Sequence, residues 1–237
     1  MPQESFKRYE KKYLLTKEQY EQLLSGMEGH IRKDAYGSYA IHNIYFDTPD
    51  HALIRASLDK PFYKEKLRLR SYGVPTPDTP VFLEIKKKYN GIVYKRRTTL
   101  SLEEAENYLY SHTDKEGSGQ VLREIDWLFA RYPLKPSVYL VYDRLAYCGI
   151  EDDSLRITFD TNIRGRDERL KLTEGTDGIE LLDPDTVLME VKFIGAMPLW
   201  MSRLFASLKI YPSPFSKYGI YYRLRMQSSD IAKETIV

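Results

Sequence analysis

The chain has 237 residues, 42% hydrophobic and 30% charged, and its 36 Lys and Arg against 34 Asp and Glu leave a net charge of +2. That length holds one large domain or two small ones, and so slight a net charge excludes wrapping nucleic acid by bulk electrostatics, so any anion site has to come from local sorting of charge. The single cysteine, Cys148, excludes an internal disulfide and fits a reducing, cytoplasmic setting; no apolar run approaches the roughly 18 residues of a membrane-spanning helix, and the first residues carry no apolar signal region.

Taken in order, residues 6–15 alternate as a strand with Arg8, Glu10 and Lys12 on one face. Thr16 caps a helix to about Met27, with Gln19 at the capping-box position. Tyr39 to Phe46 reads as a strand, and Asp47-Thr48-Pro49-Asp50 as a turn into a short helix carrying Leu53, Ile54 and Leu58. The stretch from Lys64 to Tyr72 puts Lys66, Arg68 and Arg70 on one strand face and Leu67 and Leu69 on the other. Three cations at ~7 Å spacing repel by about 2 kcal/mol per neighbouring pair at an effective dielectric of about 20. Such a row fits a polyanion, or alternatively an edge strand blunted by charge.

A proline-rich loop, 73–80, leads to a strand from Val81 to Tyr89 with Glu84, Lys86 and Lys88 on its polar face. Asn90-Gly91 is a hairpin signal, and the returning strand, Ile92 to Leu100, places Lys95 and Arg97 together. Ser101 and Glu104 form a capping box for a helix to about Tyr110, Gly117 to Gly119 breaks the chain, and Gln120 to Arg131 is an amphipathic helix. Ser137 to Cys148 is a strand with Tyr142 and Arg144 on one face. Leu155 to Ile163 is another, with Arg156, Thr158 and Asp160. Residues 164–186 read as loop with a short strand, and Arg164, Arg166 and Arg169 as a solvated charge run, the other reading being a guide for an incoming anion. Val187 to Ile194 sets Glu190 and Lys192 against Met189, Val191 and Phe193, and a helix from about Pro198 to Leu208 precedes a Pro-rich turn and a short helix. Residues 1–227 are expected as one domain and 228–237 as a flexible tail.

Seven strands thus repeat a polar face with charges at mid-strand. The fold class expected is α+β: an antiparallel β-barrel of about eight strands, its polar face inward as a tunnel and its apolar outer face covered by helices. A solvated sheet face is the other solution. A lining of Lys and Arg is costly without anions and favourable around phosphates, which Arg holds through paired hydrogen bonds. Glu10, Glu84 and Glu190 either pair with neighbouring cations or hold a divalent metal, and Glu190 is the preferred ligand because a transferring phosphoryl group needs charge neutralisation. His30, His42, His51 and His112 lack metal-ligand spacing, and no phosphate-binding glycine loop is present.

Arg8-Tyr-Glu-Lys-Lys-Tyr13, Lys66-Leu-Arg-Leu-Arg70, Leu83-Glu-Ile-Lys86, Tyr142-Asp-Arg144, Leu155-Arg-Ile-Thr-Phe-Asp160, Met189-Glu-Val-Lys192 and Ser213-Pro-Phe-Ser-Lys-Tyr-Gly219, in that order, resemble the VTC domain. This is the polyphosphate polymerase domain of the vacuolar transporter chaperone family, within the triphosphate tunnel metalloenzyme (CYTH-like) superfamily. The resemblance implies transfer of the ATP γ-phosphate to a growing polyphosphate chain in a basic tunnel, with Mn²⁺ or Mg²⁺. It assigns Lys12, Arg68, Arg70, Lys86, Arg144 and Arg156 to catalysis and Glu190 to the metal. Glu10, Lys66, Glu84, Lys95, Tyr142, Lys192, Ser216 and Lys217 fall to substrate binding. ATP and inorganic polyphosphate are the partners implied, without nucleic acid or direct membrane insertion; recruitment by a membrane protein and the oligomeric state stay open. The phosphate-sensing SPX domain and membrane helices of eukaryotic relatives are missing from the sequence. With water as acceptor the same scaffold is a triphosphatase, and without turnover it is a polyphosphate-binding module.

Overall fold

The structure is a computed structural model and describes residues 8–59, 61–90, 92–111 and 119–234. In order they form β1 (Arg8–Thr16), α1 (Lys17–Gly26), β2 (Ile31–Asp47), α2 (Ala52–Leu58), β3 (Tyr63–Tyr72), β4 (Pro80–Tyr89) and β5 (Ile92–Ser101). There follow α3 (Leu102–Ser111), α4 (Gln120–Arg131), β6 (Lys135–Gly149), β7 (Arg156–Arg166), β8 (Ile179–Glu180), β9 (Thr186–Ile194), α5 (Leu199–Ser207) and α6 (Lys217–Glu234). The hydrogen-bonded strand order is β1-β9-β7-β6-β2-β3-β4-β5, with β8 on β7. The expected antiparallel sheet with peripheral helices is present. Its order ends on β1 and β5 instead of closing into the ring of a barrel.

The chain divides into two compact units. The first comprises Met1–Ala40, Tyr142–Ile163 and Leu182–Phe215. In it β9 pairs antiparallel with both β1 and β7. Alternation sends Tyr13, Leu15, Ile157, Phe159, Met189 and Val191 into a core that also takes Leu23 and Met27 from the first helical segment and Met201 and Phe205 from α5. The capping box read at Thr16 is formed: Gln19 N donates to Thr16 Oγ1 at 3.2 Å and Thr16 N to Gln19 Oε1 at 3.1 Å.

The second unit comprises Ile41–Val141, Arg164–Leu181 and Ser216–Val237. Its β2, β3, β4 and β5 pair antiparallel in that order. Ile44, Phe46, Leu67, Leu69, Leu83 and Ile85 form one apolar face, covered by Leu122, Ile125 and Leu128 of α4. Ser101 and Glu104 cap α3 reciprocally, at 3.0 and 3.1 Å. Asn90 has φ 45°, the left-handed backbone that a tight hairpin requires; Gly91 lies outside the described residues.

Three expectations are corrected. β2 starts at Ile31 and not near Tyr39; its first half, Ile-Arg-Lys-Asp-Ala-Tyr-Gly-Ser, is polar and holds Gly37 at φ 66°, so neither alternation nor composition marks a strand there. The last helix is not short: α6 runs to Glu234, through most of the expected tail, whose last three residues lie outside the described ones. Arg166 is not solvated. It is 7% exposed, stacks 3.8 Å over the Tyr139 ring, and donates to the carbonyls of Glu168, Arg169, Glu174, Gly175 and Asp177.

The turn after β2 places both α2 and the start of α6. Asp47 is fully buried, and its carboxylate accepts from the backbone N–H of Thr48, Leu53 and Ile54 at 2.8, 2.9 and 3.0 Å. It also accepts the Tyr218 hydroxyl at 2.8 Å. Asp47→Ala leaves the three backbone donors buried without this acceptor, so its unfolding free energy in urea should drop by about 3 kcal/mol. Asp47→Asn, which keeps one acceptor, should lose less.

Candidate functional site

The polar residues selected from the sequence fall into two groups, one in each unit. In the second unit, strand register aligns Asn43 with Arg70 and Tyr45 with Arg68 across β2 and β3. It aligns Arg68 with Glu84 and Lys66 with Lys86 across β3 and β4, then Glu84 with Arg97 and Lys86 with Lys95 across β4 and β5. Lys66, Lys86 and Lys95 thus stand directly across three adjacent strands. Like charges in that relation destabilise a sheet unless an anion is supplied.

The carboxylate in this row is Glu84, its side chain 2% exposed. Arg68 Nε lies 2.6 Å from its Oε2, Lys95 Nζ 2.6 Å from Oε1 and Arg70 Nε 3.9 Å from Oε2. Burial pushes the Glu84 carboxyl up, but Arg68, Arg70 and Lys95 outweigh it and hold it at about 2. Burial also lowers the Lys95 ammonium, against the pull of Glu84. Arg70, 7% exposed, donates to Asn43 Oδ1 at 2.9 Å. Lys66 Nζ reaches Ser216 Oγ at 3.5 Å, and Ser216 caps the start of α6 by accepting from Gly219 N at 3.3 Å. Lys217 follows at 9% exposure, whereas Lys86 is exposed.

In the first unit the charges alternate. Register sets Glu10 beside Lys192 and Lys12 beside Glu190. Lys12 Nζ is 3.3 Å from Glu190 Oε1 and 4.0 Å from Glu10, and Lys192 Nζ is 3.7 Å from Glu190 and 3.9 Å from Glu10. Lys12 also donates to the Phe215 carbonyl at 3.1 Å. Arg144 grips the fully buried Asp160 through two hydrogen bonds of 2.6 and 2.7 Å, and its Nη2 lies 3.8 Å from Glu190 Oε2. Its guanidinium centre is 5.2 Å from the ring of Tyr142. Burial disfavours the Arg144 charge, but Tyr142, Asp160 and Glu190 outweigh it and raise its pKa well above the ordinary value. Arg156 is exposed and in register with Lys192, its guanidinium against the Cys148 sulfur.

Glu190 is buried, its side chain 10% exposed, and faces Lys12, Arg144 and Lys192. Thr158, in register with it, has a buried hydroxyl with no hydrogen-bond partner among the described residues. No group of three or more His, Cys, Asp or Glu is drawn together among the described residues. A donor set of one or two carboxylates fits a hard divalent cation that takes its other ligands from phosphate and water; it does not fit a closed protein cage.

The VTC domain model matches residues 7–225. The chain belongs to the VTC domain family. Among solved structures, a candidate adenylate cyclase from Bacillus halodurans superposes with a TM-score of 0.54 at 20% identity, covering 87% of this chain and 92% of that one. One from Vibrio parahaemolyticus gives 0.51 at 13%, covering 93% and 99%. HpAC1 from Hippeastrum, reported to have a dominant triphosphatase activity, gives 0.52 at 15%, covering 92% and 96%. These likenesses show that the chain shares the fold of those proteins and no more. A search of curated proteins finds no match.

Within the VTC framework, two side chains were missed by sequence reasoning. Tyr45 and Asn43 hold Arg68 and Arg70 from β2, at 3.0 and 2.9 Å. Both faces of that strand are buried over residues 41–47, Tyr45 being partly exposed, so alternation does not single them out; the signal available was only their placement in a strand ahead of the cationic one.

The Glu84 pKa has a direct consequence for stability. It falls from 4.5 to about 2 on folding, so its contribution is fully present above about pH 4.5 and is lost as pH falls towards about 2. Glu84→Gln should therefore lower the unfolding free energy near neutral pH by about 3 kcal/mol. Urea titrations should show the gap to wild type narrowing as pH is taken below about 4.5.

Proposed function

We propose that this VTC-domain chain is a metal-dependent polyphosphate polymerase that transfers the γ-phosphoryl group of ATP to the end of an inorganic polyphosphate chain. The observation that carries this reading is the row Lys66, Lys86 and Lys95 in register across three strands, with Arg68 and Arg70 beside it and Glu84 as its buried counter-charge. A repeating polyanion is the ligand that such a row favours, because successive phosphates meet successive cations.

In the proposed reaction a terminal oxygen of the polyphosphate chain forms a bond to the γ-phosphorus, and the bond from that phosphorus to the β,γ-bridging oxygen breaks, releasing ADP. The acceptor oxygen is already ionised near neutral pH, so a strong general base is not required. The work left to the protein is positioning and charge stabilisation. Lys66, Arg68, Arg70, Lys86 and Lys95 hold phosphate oxygens in the second unit, with Ser216 and Lys217 at the start of α6 adding donors. Lys12, Arg144, Arg156 and Lys192 play that part in the first, Asp160 fixing the plane of Arg144 and Tyr142 lying against it. Mn²⁺ or Mg²⁺, held by Glu190 with Glu10 beside it, would supply charge neutralisation on the transferring oxygens.

No helix among the described residues is long and apolar enough to cross a membrane, and the single cysteine fits a cytoplasmic site of action.

The purified chain incubated with γ-labelled ATP and Mn²⁺ should yield a ladder of polymer on a gel, lost in Glu190→Ala. Release of free phosphate alone would replace the polymerase with a triphosphatase, the activity reported for HpAC1. Arg70→Ala should weaken tripolyphosphate binding at least about tenfold in calorimetry, since a desolvated charge-assisted pair is worth roughly 1.5–3 kcal/mol; unchanged affinity would remove Arg70 from the site.

A further inference from the structure

One side chain on the cationic face of the second unit is not used by the proposed transfer. Tyr45 stands in register with Arg68, and its hydroxyl accepts from Arg68 Nη1 at 3.0 Å while Glu84 accepts from Nε at 2.6 Å. The two acceptors fix the plane of the guanidinium from two sides. Tyr45 is itself held in place: its ring lies 5.1 Å from that of Tyr218, whose hydroxyl donates to Asp47 at 2.8 Å and lies 3.1 Å from Ser137 Oγ.

The charged groups around the phenol come from several elements. Lys66, Arg68 and Arg70 face it from β3. Glu84 from β4 and Lys95 from β5 connect to it through Arg68. Asp47, at the end of its own strand, connects through Tyr218 of α6. Burial would push the Tyr45 phenol up, but Arg68, Lys66 and Arg70 outweigh it and hold it at about 8, against an ordinary 10.0. The neighbouring Tyr218 moves the other way, raised by burial and by Asp47. Of the two rings, Tyr45 is therefore the one that ionises.

We propose that Tyr45 is a positioning residue for Arg68 and a proton switch on the phosphate row: the neutral phenol orients the guanidinium towards a phosphate chain, and the phenolate competes with that chain for the same cations. This rests on phosphate being the ligand of the row. A bound polyanion favours the neutral phenol, so above about pH 8 binding takes up a proton and affinity falls by up to tenfold per pH unit. Below that pH the phenol is already neutral and binding draws no proton from it.

The test is metal-free tripolyphosphate binding by calorimetry, for the full chain and for Tyr45→Phe, from about pH 6.5 to about 9.5. The ratio of the two affinities cancels the titration of tripolyphosphate itself. It also separates the switch from the lost hydrogen bond, which shifts the ratio by the same factor at every pH. The ratio should be flat to about pH 8, after which wild type should weaken relative to Tyr45→Phe, by about tenfold at about pH 9. A flat ratio throughout overturns the switch and leaves phosphate binding standing. Absence of binding by both proteins overturns the phosphate reading; the switch is then judged by tyrosinate absorbance. A wild-type ionisation step near pH 8 that is missing in Tyr45→Phe supports it, and identical titrations overturn it.

Discussion

Repulsion between like charges on a sheet face governs what this protein is built to meet. The lysines on β3, β4 and β5 are held in register by backbone hydrogen bonds and cannot step apart without breaking the ladder. One buried carboxylate relieves part of the strain, and at that it draws in Arg68, Arg70 and Lys95 together. The first unit handles charge differently. There Glu10 and Glu190 alternate with Lys12 and Lys192 in a near-neutral checkerboard. On the proposed reading, the face with surplus positive charge suits phosphate alone, and the face of balanced pairs a phosphate that brings a cation with it.

Precision at these faces comes from groups that carry no positive charge. Asp160 orients Arg144, while Asn43 and Tyr45 orient Arg70 and Arg68. An arginine clamped in this way loses less side-chain entropy when a ligand arrives than a free one does. Lys86 is exposed, which, on the proposed reading, suits a group that follows a moving chain.

Much of this was legible in the sequence because a period of two survives wherever one strand face is polar. The strands carrying Lys66 to Arg70, Glu84 to Lys88 and Glu190 to Lys192 were placed nearly to their ends, as were the capped helices at Thr16 and Ser101. The period failed where burial is two-sided, as around Tyr45, and where composition is polar throughout, as in the first half of β2. Ring closure was a matter of strand order, which alternation does not encode. Arg166 was misread for a related reason: its partners are backbone carbonyls, and no residue type in the sequence advertises them.

That last point has a wider consequence. Every residue, whatever its side chain, offers the same carbonyl, so the guanidinium itself does not select the residues whose carbonyls it gathers. The segment from Asp167 to Gly178 is constrained elsewhere: Leu172 is fully buried in the core of the second unit, Gly175 has φ 78°, and a Cβ on Gly178 would come within 2.6 Å of the Gly165 carbonyl oxygen. Its exposed positions, such as Lys171 and Thr173, are where new surface chemistry can be tried without disturbing the sheet that supports it.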